Sequence, residues 1–177
     1  MQRLQDFFEQ QGFQMELVLK MKHFDEPDFV AVKRGSNFML MRYVDFFFIK
    51  QCNTPLSWDK VSQFHEQAKV LANNSFKLPK ALRLTVPNIN SVLITSFEPS
   101  KEIQAFLPVV KKSLLGGEQG SIFVFDKSSG ELYSSGREQT RIVGEAKMVW
   151  GNEKEFDTIN GRNRAHNLIE HLVPQIQ

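Results

Sequence analysis

Residues 38–51 read FMLMRYVDFFFIKQ, and the fold class turns on them. Alternate side chains of an extended strand point to opposite faces, and here both alternating sets are largely apolar. A run greasy on both faces is the pattern of a central strand covered on each side. Arg42 and Asp45 interrupt it, so it falls short of the roughly 18 unbroken apolar residues that suggest a membrane span.

Working upstream, FVAVKRGSN leads into this run and predicts a β-hairpin turning at Arg34-Gly35-Ser36-Asn37, with the second arm reaching residue 51. FDEP before it is a turn. MELVLKMKH (15–23) alternates Met15, Leu17, Leu19 and Met21 with Glu16, Val18, Lys20 and Lys22, as a strand with one wet face does. The chain opens with a predicted helix over 2–11, its stripe set by Leu4, Phe7, Phe8 and Gln11 and its end by Gly12.

Downstream, NTPLSWDKVSQFHEQAKVLANN carries helix grammar. Thr54 or Ser57 caps it, Pro55 suits a first helical position, and Asp59 complements the dipole. Val61, Phe64, Ala68, Leu71 and Ala72 form the buried stripe, and Asn73-Asn74 close it. SVLITSF (91–97) is a short buried strand. Residues 100–117 form a helix that Pro108 kinks and Gly116 ends. SIFVFD, a KSSG turn and ELYSS make a second hairpin, 141–150 another strand, and RNRAHNLIEHLVPQI a closing amphipathic helix through Ala165, Leu168, Ile169 and Leu172. The expected class is α+β, a mixed central β-sheet flanked by helices in the order α-β-β-β-α-β-α-β-β-β-α. Residues 1–177 read as a single globular domain.

Composition narrows the function classes. The chain has 22 Lys+Arg against 20 Asp+Glu, 41% apolar residues and one cysteine. These values exclude disorder, a disulfide framework and a Cys-based structural zinc site. The opening MQRLQDFFEQQGF has early charges and no apolar core of signal-peptide length, so the expectation is a cytoplasmic protein without membrane association. Cys52 reads as a small packing residue, and Trp58 and Trp150 as packing residues. The 16 phenylalanines sit mostly in apolar runs and read as core. No phosphate-binding glycine loop, dinucleotide fingerprint, zinc-protease or nucleophile-elbow motif occurs. His23, His65, His166 and His171 read as surface residues. His166 and His171 are five apart on a helix, about 140° around its axis, so they do not share a ligand. No metal site and no resident cofactor are expected.

One stretch points toward chemistry. Pro27-Asp28 heads the second strand, Glu9 lies in the opening helix, and Gln63 and Gln67 lie in the helix after the third strand. With the order α-β-β-β-α-β over residues 1–97, this resembles the core of the PD-(D/E)XK, or restriction-endonuclease-like, superfamily. The resemblance implies a first half-motif at Pro27-Asp28 and a nuclease ancestry. Family nucleases also need an acid two residues before a lysine on the third strand, where two carboxylates hold a divalent cation and the lysine acts on the attacking water. This chain has Leu40-Met41-Arg42 there. Leu40 has no ligand atom, and Arg42 does not give up its proton.

The expectation is therefore a non-catalytic binding or interaction module on a decayed nuclease-like fold, with protein or nucleic acid as partner. For nucleic acid, Lys77, Lys80 and Arg83, or Arg162 and Arg164, would contact phosphates. The alternative is a nuclease using Mg2+ or Mn2+ at a rearranged site of Glu9, Asp28, Asp45 and Lys33.

Overall fold

The computed structural model describes residues 1–16, 26–36, 42–76, 85–106, 119–135 and 161–176. Its elements are α1 (Gln2–Gln10), β1 (Gln14–Glu16), β2 (Phe29–Ser36), β3 (Arg42–Cys52), α2 (Trp58–Asn74), β4 (Thr85–Thr95), α3 (Lys101–Phe106), β5 (Gln119–Asp126), β6 (Glu131–Ser134) and α4 (Gly161–Ile176). They follow the expected α+β order. The strand expected at 141–150, and most of the expected 15–23 strand and 100–117 helix, lie outside the described residues.

The six described strands form one sheet in the order β1-β2-β3-β4-β5-β6. The β1/β2, β2/β3 and β5/β6 pairs are antiparallel, while β3, β4 and β5 run parallel. Parallel neighbours need long crossovers, and α2 lies on the first of them, between β3 and β4. The sheet is therefore mixed, with β3 inside it. Alternation along β3 sends Val44, Phe46 and Phe48 into one core with Val61, Phe64, Ala68 and Ala72 of α2. Phe47 and Ile49 enter a second core with Leu4, Phe7 and Phe8 of α1 and Ala165, Ile169 and Leu172 of α4. Each large side chain buried this way contributes about 1.5–3 kcal/mol. The Phe8 ring sits edge-on at 5.2 Å from Phe13 and tilted at 5.3 Å from Phe47, which ties α1 to the sheet.

Three local expectations are corrected. The hairpin does not turn at Arg34–Asn37, because β2 stays paired through Ser36, opposite Arg42. Gly35 is a seat rather than a turn residue: Tyr43 lies directly opposite, and a Cβ on Gly35 would fall 2.4 Å from the Tyr43 ring. Next, β4 begins at Thr85 rather than at 91. Pro87 has no N–H to give to a ladder, and among the described residues β4 pairs with β5 only from Asn88 onward. Finally, α2 starts at Trp58 with Ser57 as its cap, Oγ accepting the Lys60 N–H at 3.4 Å. Pro55 therefore precedes the helix.

The second hairpin turns where expected, at 127–130, closed by Gly130 with φ +76°. That left-handed conformation suits a residue without Cβ. Among the described residues no helix is long and apolar enough to cross a membrane.

Candidate functional site

The sheet face under α1 and α4 is polar at one end and apolar at the other. At the amino ends of β3 and β4, Lys33, Asp45 and Asn88 are lateral neighbours on β2, β3 and β4. The next row is Ala31, Phe47, Asn90 and Ser121. Beyond it come Phe29, Ile49, Val92 and Phe123, an entirely apolar row. Asp45, Asn88, Asn90 and Ser121 are all buried, which is costly unless their polar groups find partners.

Arg164, in the first turn of α4, supplies the main one. Its Nη2 donates to Asp45 Oδ1 at 2.7 Å and its Nε to Oδ2 at 3.1 Å, a two-pronged clasp. Asn88 Nδ2 donates to the same Oδ1 at 3.1 Å. The guanidinium also stacks on the Tyr43 ring at 3.9 Å, and that ring occupies the space Gly35 leaves. Gly35, Tyr43, Arg164 and Asp45 thus form one chain of contacts pinning α4 to the sheet. The guanidinium fork matches a carboxylate in plane and charge, so the buried Asp45 charge is neutralised. Asn90 Nδ2 donates to Phe46 O at 3.1 Å. Asn90 Oδ1 and Ser121 Oγ, side by side in register, have no partner among the described residues. Buried polar atoms of this kind are ordinarily met by an ordered water.

The residues of the nuclease alternative fall in three places. Asp28 sits just before β2, where its carboxylate accepts the Gln51 N–H at 2.6 Å and its own N–H donates to Ile49 O at 2.8 Å. It thereby extends the β2/β3 ladder. Asp28 is five residues from Lys33, about 17 Å at the rise of an extended chain. Lys33 and Asp45 are direct cross-strand partners. Lys33 Nζ donates to Gln11 O at 2.7 Å and lies over the Phe13 ring. Glu9 is exposed on α1. The structure sets Lys33 and Asp45 opposite each other on neighbouring strands, while Asp28 lies before β2 at the far end of that strand pair. Among the described residues no group of three or more His, Cys, Asp or Glu is arranged to hold a metal ion.

Of the basic candidates, Lys77, Lys80 and Arg83 lie outside the described residues, as does the Arg162 side chain. Arg164 is turned onto Asp45. Two histidine expectations are corrected. His65 is buried, with Nδ1 2.9 Å from Ser91 Oγ; the α2 stripe that buries Phe64 and Ala68 carries it against β4. His166 is buried too: its Nε2 donates to Ser135 O at 2.7 Å and its ring meets Phe123 edge-on at 4.9 Å. His171 is exposed, as expected, and His23 lies outside the described residues. Cys52 is buried in the α2-side core, the packing role its sequence suggested.

No family model, curated protein or solved structure matches the chain. The case for function therefore rests on this geometry. Asn88, Asn90 and Ser121 escaped the sequence reading, although a trace of them was there. Asn88-Ile89-Asn90 places two amides at period two immediately ahead of the apolar SVLIT, as a strand with a buried polar end does.

The β5/β6 turn is the other electrostatic feature. Burial pushes the Asp126 carboxyl up, but hydrogen bonds from the Ser128 and Ser129 hydroxyls and backbone together hold it below its ordinary value of 3.8. Tyr133 donates to Glu131; that bond first, then burial and nearby carboxylates, push the phenol up to about 12.

Proposed function

We propose that this chain is a non-catalytic binding module whose element order is that of a nuclease-like core without the cation site. One observation carries the reading. Two of the three acids that the rearranged site would need are engaged in holding the fold, Asp28 on the Gln51 N–H and Asp45 on Arg164, and the third, Glu9, is exposed on α1. A hard divalent cation needs several oxygen donors converging on one point. The Lys33–Asp45 cross-strand pair is the one feature favouring the nuclease alternative.

The test incubates supercoiled plasmid with the protein and Mg2+ or Mn2+, beside Asp28→Ala and Asp45→Asn. The expected result is intact plasmid in every lane. Cleavage by the parent chain that either substitution abolishes would establish the nuclease instead. In parallel, fluorescence anisotropy with a labelled duplex identifies the partner class. Nucleic-acid binding falls steeply as salt rises, because each neutralised phosphate releases counterions. No binding at low salt leaves a protein partner.

A further inference from the structure

At the carboxyl ends of the parallel strands, opposite the polar cluster, a cleft of about 380 Å3 opens between the sheet and the start of α1. It is lined by Met1, Gln2, Arg3, Leu4, Gln51 of β3, Ile94 of β4, Lys127 just beyond β5, and Ile176 at the end of α4. That volume falls within the usual range for small-molecule sites, and the crevice outside the carboxyl ends of parallel strands is where α/β sheets commonly bind ligands.

Its charge is one-sided. Arg3 and Lys127 both line it, and among the described residues no acid does. Among the described residues neither cationic side chain has a hydrogen-bond or ion-pair partner. The nearest acid in sequence to Lys127 is Asp126, which is buried and engaged by Ser128 and Ser129. By strand alternation from Phe125 it falls on the α2 face. Asp6, one turn beyond Arg3, accepts from Gln2. The opening of α1 adds to this: no side chain caps its first-turn N–H groups, and those groups carry partial positive charge. Leu4, Ile94 and Ile176 also line the cleft, Leu4 and Ile94 with little surface exposed.

We infer that this cleft is a binding site for a small phosphate-bearing metabolite, with Arg3 and Lys127 clasping the phosphate. An anion placed between two like charges relieves their repulsion and gains charge-assisted hydrogen bonds. The titration reads small-ligand binding alone, so its failure is distinguishable from that of the plasmid and duplex experiments.

The experiment titrates the 15N-labelled chain with phenyl phosphate, inorganic phosphate and phenol, following backbone amide shifts. The expected result is saturable shifts near residues 1–4, 51, 94, 127 and 176. Phenyl phosphate and inorganic phosphate should both bind, and phenol should give no saturable shift. Arg3→Gln and Lys127→Gln, both at exposed positions, should each raise Kd about tenfold, the scale of one charge-assisted contact. Lys101→Gln, at an exposed site on α3, should leave Kd unchanged. Three outcomes would overturn the inference: no saturable shift at these amides by about 10 mM, a very weak Kd; equal response to phenol; or Kd unaltered in both cleft variants while their spectra remain those of the folded chain.

Discussion

Replacing Arg164 by Ala strands a carboxylate inside the protein. The Asp45 side chain is 7% exposed and that of Arg164 is 17% exposed, so solvent takes over little of the lost interaction. Breaking one side of a buried pair costs about 3–5 kcal/mol. Asn88 Nδ2 still donates to Asp45, which places the expected loss near the lower end, about 3 kcal/mol. For a chain of this size each kcal/mol moves Tm by about 2–4 °C, so a fall of at least about 6 °C follows. The informative comparison is the double variant Asp45→Leu/Arg164→Met, which removes both charges and restores apolar volume. It leaves one Asn88 donor unsatisfied, about 1–3 kcal/mol, and should be more stable than Arg164→Ala. Urea denaturation at neutral pH, with m unchanged, measures all the variants. The reasoning fails if Arg164→Ala loses less than about 1 kcal/mol, the scale of an exposed pair. It also fails if the double variant is no more stable than Arg164→Ala.

Other consequences follow from neighbouring contacts. Gly120→Ala would set a Cβ 2.2 Å from the Ile89 carbonyl oxygen, and because backbone has to move, a loss of at least about 1–3 kcal/mol is expected by urea denaturation. Ser91→Ala removes the hydroxyl facing His65 Nδ1 inside the core and should cost about 1–3 kcal/mol in the same assay. The lowered Asp126 carboxyl stabilises the fold above its unfolded pKa, and that contribution disappears as pH falls through the folded value. Thermal melts between pH 7 and pH 2 should therefore show an acid-side loss of Tm that is smaller in Asp126→Asn. The raised Tyr133 phenol works in the other direction: its contribution is complete below the ordinary value of 10.0 and is lost as pH rises through about 12. Absorbance near 295 nm should show a late tyrosinate step around 12 that Tyr133→Phe abolishes; its persistence would refute the assignment.

Period and composition determined much of the architecture. RYVDFFFIKQ announced a strand buried on both faces, because two interleaved apolar sets need two covering layers, while the FMLM before it lies outside the described residues. The stripe Val61, Phe64, Ala68 and Ala72, the Leu4–Phe8 stripe, the KSSG turn and the closing amphipathic helix were legible for the same reason: each is a local pattern with one low-energy conformation. Lys33 and Asp45 could be named as candidates, but their pairing could not, because a hairpin register shifts with the position of its turn. Gly35 looked like that turn, and only the ring of Tyr43 across the ladder shows why a glycine is needed there. Asn88 and Asn90 fell just ahead of the strand read at 91–97, and only the sheet shows them inside β4, Asn88 on Asp45 and Asn90 on the Phe46 carbonyl. His65 and His166 seemed ordinary surface residues because helical periodicity gives a face, not what packs on it. The Arg164–Asp45 clasp spans most of the chain, and the cleft draws its lining from both ends of it. Contacts of that range leave no local signature, since they form only when the whole sheet brings distant segments together, and so the tertiary structure alone decided them.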